Sequence, residues 1–205
     1  MLEHEWDRKL HIDTIGRDDS AEDTHHYPYE PTPYSVLERL AESGYIDREA
    51  VAIDYGCGKG RVGFFLNHEI GCKAIGIEFE KTIFDAAGKN SLNYMQYMKQ
   101  EDRDTTEGNI LFCCVAAEKY EIEDADVFYF FNPFSVEVLQ SVIGKIRQSY
   151  YNNPREMRLF FYYPSDEYMS YLMTVPELCF MDEIDCQDLF EGKDSRERII
   201  IFEIV

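Results

Sequence analysis

Apolar residues along the chain fall into short continuous runs separated by stretches with helical spacing. That alternation builds a largely parallel sheet with helices on its faces. Runs at Val51 to Ile53, Cys72 to Ile77, Asn109 to Val115, Asp126 to Phe131 and Met157 to Tyr163 predict five strands. Leu178 to Gln187 and Glu197 to Val205 add two more around an acidic turn containing Gly192. Between the runs, Val62, Phe65 and Leu66 mark the buried face of a helix that begins after Gly60. Ile83, Ala87, Tyr94 and Met98 do the same for a helix over Lys81 to Gln100, and Val138, Leu139, Val142, Ile143 and Ile146 for one after Ser135. A short helix over Ser165 to Met173 follows Pro164. Ahead of the first strand, Thr32 is a good N-cap and Pro33 suits the first helical position; Val36, Leu37, Leu40 and Ala41 then form a stripe that ends near Gly44. Residues 1 to 30 are less patterned. Trp6, Leu10, Ile12 and Ile15 anchor either a short helix or an extended arm, Asp18 to Asp23 is an acidic solvated stretch, and Glu101 to Gly108 is a charged loop. The reading is an α/β chain with an N-terminal arm and cap helix over 1–45 and one globular unit over 46–205.

Composition narrows the function. A chain of 205 residues with 45% hydrophobic content supports one substantial core. No apolar run reaches the roughly 18–20 residues of a membrane-crossing helix, and the acidic start Met1 to Asp7 is unlike a secretory signal. Six cysteines without C-x-x-C spacing, with Cys113-Cys114 in a run that reads as buried, point to reduced thiols and a cytoplasmic protein. The His25-His26 pair has no cysteines or acids at ligand spacing, so no metal site is expected. A net charge of −20 opposes a phosphate backbone and disfavours nucleic acid as a partner. A small molecule, or a basic protein segment, is the favoured partner.

The chemistry centres on Val51-Ala-Ile-Asp-Tyr-Gly-Cys-Gly-Lys-Gly-Arg61. A strand ending in Asp54, a turn with glycines at 56, 58 and 60, and a helix start make the unit that cradles nucleosides in doubly wound sheets. Glycine there permits a tight turn, close backbone approach to a ligand and close packing of helix on strand. An ordinary strand-to-helix turn is the other reading. The second strand ends in Glu78, near the chain distance at which a carboxylate meets vicinal ribose hydroxyls, with Phe79 next to it. The fourth strand ends in Asn132-Pro-Phe-Ser135, which the topology places beside the glycine loop.

The spacing D-x-G-x-G-x-G resembles the first motif of class I S-adenosylmethionine (SAM)-dependent methyltransferases. Asp7-Arg-Lys-Leu-His-Ile-Asp-Thr14, Tyr29-Glu-Pro-Thr-Pro-Tyr34 and Asp54-Tyr-Gly-Cys-Gly-Lys-Gly-Arg61 are similar to a small bacterial group of these enzymes with D-R-x-x-x-x-D-T, Y-x-P-T-P-Y and G-K-G-R stretches. The likeness runs from residue 6 to 135. It implies a seven-stranded sheet of order 3-2-1-4-5-7-6, its last strand antiparallel, and SAM as cofactor. In that family the acid, here Asp54, serves the ligand's amino group, and the glycine backbone, here Gly56, Cys57, Gly58 and Gly60, passes under its methionine part. Glu78 then meets the ribose and Phe79 lines the adenine, with Tyr29, Thr32 and Tyr34 as lid contacts. Ala116-Ala117 stand where the family often has an acid for the adenine amino group, which leaves Glu118 or backbone groups to serve it.

Asn132-Pro-Phe resembles the [DN]-P-P-[YF] motif of amino-methyltransferases with one proline missing. The likeness implies that Asn132 accepts hydrogen bonds from a substrate nitrogen while Phe134 stacks on a planar acceptor. An N-P turn with Ser135 capping the next helix is the plain alternative. Three functions stay open: SAM-dependent methylation of a nitrogen on a small molecule or protein side chain, a non-catalytic SAM-binding module, and a nucleic-acid amino-methyltransferase, which the charge opposes.

Overall fold

The structure, a computed structural model, describes residues 1–17, 29–101 and 109–205. The acidic stretch 18–23, the His25-His26 pair and the body of the charged loop, 102–108, lie outside the described residues. The strands are β1 (Val51–Tyr55), β2 (Lys73–Glu78), β3 (Ile110–Cys114), β4 (Val127–Phe130), β5 (Arg158–Tyr162), β6 (Leu178–Asp185) and β7 (Arg198–Ile204). The helices are α1 (Glu3–Leu10), α2 (Tyr34–Glu42), α3 (Arg61–Glu69), α4 (Lys81–Gln100), α5 (Val136–Asn152) and α6 (Asp166–Leu172).

The seven strands form one sheet in the order β3-β2-β1-β4-β5-β7-β6. β1 to β5 run parallel, and β7 inserts antiparallel between β5 and β6. Strand order reverses at β1, whose neighbours are β2 on one side and β4 on the other. In open α/β sheets a crevice opens at that reversal, outside the carboxyl ends of the strands.

Period-two alternation sorts the sheet's side chains into two cores. Ala52, Tyr129, Phe160 and Ile201 face the layer of α1 to α4, whereas Ile53, Phe128, Phe161 and Phe202 face α5 and α6. Because both faces are covered, the central strands read as unbroken apolar runs. α3 departs from a one-sided helix, since Val62, Phe64, Phe65 and Leu66 are all buried. The cause is tertiary: α1 and α2 pack over α3 from outside. Trp6 stacks on Tyr34 at 5.5 Å and meets Phe65 edge-on at 4.9 Å, contacts worth about 0.5–1.5 kcal/mol each beyond area burial.

Four local expectations are corrected. Thr32 is not an N-cap; Pro33 precedes the first helical residue, Tyr34, and the Thr32 hydroxyl lies 3.1 Å from the Tyr129 phenol. Ile15 is 46% exposed and is not part of the core, unlike Trp6, Leu10 and Ile12. β3 is the sheet's edge strand, so Leu111 is 43% exposed and Cys114 lies open. Cys113 is only partly covered for the same reason, and all six cysteines are free thiols. Among the described residues no helix is long and apolar enough to cross a membrane.

Candidate functional site

The turn from β1 into α3 carries the glycines, and three of them need to be glycine. Gly56, Gly58 and Gly60 have φ of +71°, +56° and +90°, in the left-handed region. Space forbids a side chain as well. A Cβ on Gly56 would stand 2.3 Å from Cβ of Pro133, and one on Gly58 2.1 Å from the Tyr29 ring. The glycine loop is thus pressed between the segment after β4 and the strap ahead of α2. Its amides are largely held from within: Gly56 and Cys57 N–H donate to the Ile77 carbonyl at 2.9 and 3.0 Å, and Gly58 N–H to Glu78 Oε2 at 3.1 Å. Burial pushes the Cys57 thiol well up, so it stays protonated.

A cleft with about 820 Å³ of space between its atoms, counting the part open to solvent, lies over this turn. Its lining brings together Asp54, Gly56, Cys57, Glu78, Phe79, Tyr29, Thr32, Asn132 and Phe134, along with Arg61, Ile83, Val115 and Ala117. Asp54 is the unusual member. It is buried, and its Oδ2 has no hydrogen-bond partner among the described residues. Desolvation, with Glu78 as a neighbouring carboxylate, pushes its pKa up to about 8. Glu78 is also raised by burial, although the Glu80 and Gly58 amides draw it back down. A ligand cation or donor beside Asp54 would relieve both the desolvation and the unmet oxygen.

The N-terminal segments close the cleft through one polar knot. Asp7 accepts from Thr14 N–H at 2.6 Å, from the Thr14 hydroxyl at 2.7 Å and from the Tyr34 hydroxyl at 2.6 Å. Arg61, the first residue of α3, donates from Nε to Thr14 Oγ1 at 2.7 Å and from Nη1 to the Thr32 carbonyl at 3.0 Å, pairs with Glu3, and lies 4.3 Å over the Tyr34 ring. Tyr29 donates its hydroxyl to the Thr14 carbonyl at 2.7 Å. Asn90 of α4 binds both Asp13 N–H and the Lys59 carbonyl. The three motif-bearing segments therefore meet in space through Asp7, Thr14, Tyr29, Thr32 and Arg61.

Several candidate residues sit differently from their expected roles: Gly58 and Gly60 are not on the cleft lining, the first lying against the Tyr29 ring and the second against Phe64 and Phe112. Tyr34 is fully buried beneath the arm and forms no part of the cleft lining, so it holds the knot rather than a lid. Glu118 lies on the short turn Ala117–Lys119, outside the lining, where Val115 and Ala117 are the cleft residues of that segment. The Phe134 ring is 3% exposed and packs edge-on against Tyr55 and Phe130, so it presents no free face. Asn132, at φ +40°, donates Nδ2–H to the Tyr163 carbonyl at 2.5 Å and accepts from Ser165 N–H at 3.2 Å. Arg61 has no role that its place in the sequence alone assigns. The signal was an arginine directly after a glycine turn, where a buried charge demands partners from elsewhere in the chain.

The sheet order, with an antiparallel strand inserted before the last, and helices on both faces are those of Rossmann-like methyltransferases. No protein-family profile and no curated protein matches the chain. Among solved structures, a TehB-like SAM-dependent methyltransferase from Corynebacterium glutamicum superposes with a TM-score of 0.57 at 14% identity, covering 98% of this chain and 94% of that one. An RNA methyltransferase from Salinibacter ruber, in complex with S-adenosyl-L-homocysteine, gives 0.51 at 20% identity, covering 85% and 94%. The Pyrococcus abyssi tRNA (uracil-54, C5)-methyltransferase, in complex with the same compound, gives 0.59 at 11% identity over 86% of this chain. This chain spans only 40% of the length of that last neighbour.

Proposed function

We propose that the protein is a SAM-dependent methyltransferase that methylates a nitrogen of a small molecule or protein side chain. The observation that carries the reading is Asp54: a carboxylate oxygen, buried and unpartnered among the described residues, on a cleft beside Gly56 and Cys57 at the reversal point of this fold. The residues present fit the cofactor. Asp54 would take its amino end, the backbone of Gly56 and Cys57 would underlie the methionine part, and Glu78 would meet the ribose hydroxyls. Phe79, Ile83, Val115 and Ala117 offer an apolar slot for the base, with backbone groups rather than Glu118 serving its amino group. Bound there, SAM supplies an activated methyl group, and transfer leaves S-adenosylhomocysteine. The chain's own part is to hold and orient both partners and keep water out. Fold neighbours crystallised with S-adenosyl-L-homocysteine lend support.

Two other readings have an observation each. A SAM-binding module without catalysis is favoured by Asn132, whose amide already serves Tyr163 and Ser165. A nucleic-acid acceptor is favoured by the RNA-acting neighbours and opposed by the net charge of −20. Incubation with methyl-labelled SAM and fractionated cell extract separates them. Label in small amines or basic proteins supports the proposal, label in RNA supports the nucleic-acid reading, and SAM binding without any transfer supports the module.

A further inference from the structure

A second hollow adjoins the cleft. Phe131, Tyr163 and Phe190 supply its aromatic walls, backed by the buried Tyr162, with Glu30 and Glu197 as acids and Arg17 also on its lining. It shares Glu30, Pro31, Phe131 and Asn132 with the cleft, so a group held in it reaches the same space. Glu197 accepts the Tyr162 hydroxyl at 2.7 Å, which fixes the carboxylate against an aromatic wall. Tyr163 stands at φ +50°, a backbone state that a non-glycine residue keeps only when its surroundings impose it. Asn132 is one of the groups that hold it, through the Tyr163 carbonyl and Ser165 N–H, together with the Arg198 carbonyl, which accepts from Tyr163 N–H at 3.0 Å. Beside the hollow, off its lining, the Arg196 guanidinium lies 4.4 Å over the Tyr163 ring and pairs with Asp194, so this ring already carries a cation on one face.

Aromatic faces and carboxylates together select organic cations, because the ring quadrupole and the carboxylate attract the same charge. The molecule's net charge of −20 adds a long-range field of the same sign. We infer that this hollow is the acceptor subsite and takes a compact organic cation, an alkylammonium or guanidinium head. The inference rests on the methyltransferase reading and deepens it. It also gives Asn132 a positioning role, in which it sets the Tyr163 wall rather than touching the acceptor.

The test is binding of n-butylammonium, a single-lysine glycine peptide and butyrate, followed by saturation-transfer NMR on the intact protein with saturating SAM. Binding of n-butylammonium identifies a free small cation, and binding of the peptide alone identifies a side chain; either supports the inference when butyrate fails to bind. Glu197→Gln keeps an acceptor for the Tyr162 hydroxyl and should weaken the bound cation by about fivefold. Phe190→Ala, on a different wall, should weaken it similarly, with thermal melts confirming both variants folded. Failure of both cations to bind, binding of butyrate alongside them, or cation binding unaffected by both substitutions overturns the inference. Calorimetric SAM binding by the same samples separates its failure from failure of the cofactor reading: SAM bound and cation ignored condemns only the subsite.

Discussion

Arg61 Nε donates to Thr14 Oγ1 at 2.7 Å, joining the start of α3 to the N-terminal arm across 47 residues of chain. The same guanidinium holds the Thr32 carbonyl and Glu3 while buried to 2% exposure. A lysine keeps the charge but cannot present a planar fork to three acceptors. Arg61→Lys should therefore cost about 2–4 kcal/mol in urea denaturation. A change within about 0.5 kcal/mol would mean that the knot closes without it.

Gly58 and the Tyr29 ring occupy adjoining space with no room for a methyl group between them. Gly58→Ala should lose about 1–3 kcal/mol from its positive φ, and more from the collision. In a Tyr29→Ala background only the backbone part remains, so the glycine substitution should cost visibly less there. Equal costs in the two backgrounds would show that the ring does not rest on the loop.

Asp54 titrates high in the folded protein, at about 8 against an ordinary 3.8. Below pH 4 the folded and unfolded forms both hold the proton, so burial carries no ionic penalty. Between 4 and 8 the unfolded chain releases a proton that the folded one keeps. Stability thus falls as pH rises, by up to about 1.4 kcal/mol per unit from this group. Asp54→Asn cannot ionise, so its stability relative to wild type should improve steadily from pH 4.5 to pH 8. A pH-independent difference between the two proteins would place the Asp54 carboxylate in water.

Asn132 braces the backbone at Tyr163 and Ser165. Asn132→Ala should lose about 1–3 kcal/mol of stability, leave SAM affinity within about twofold, and abolish most methyl transfer. Unchanged turnover would remove Asn132 from the mechanism, whether by contact or by positioning.

The fold was legible because the central parallel strands are covered on both sides. Val127 to Phe130 and Arg158 to Tyr162 sit between two helix layers and read as unbroken apolar runs. The glycine loop was legible because φ and space both require glycine at Gly56 and Gly58. What escaped depends on contacts between distant segments. The exposure of Leu111 follows from β3 being an edge, which is a property of the sheet and not of the run. All-round burial of α3 follows from α1 and α2 lying over it, and the local period of α3 carries no trace of them. Thr32 and Tyr34 look like cap and lid from their neighbours in sequence. Their partners, Tyr129 and Asp7, come from elsewhere. Phe134 follows a turn motif that suggests display, yet the apolar layer under α5 claims its ring.

The central claim is that the glycine-lined cleft binds SAM through Asp54, and a calorimetric titration of wild type and Asp54→Asn with SAM tests it most directly. The account predicts saturable binding by wild type with micromolar affinity, weakened about tenfold or more in a folded Asp54→Asn variant. Wild type that gives neither heat nor a thermal shift with SAM, or a variant that binds as tightly as wild type, would contradict it.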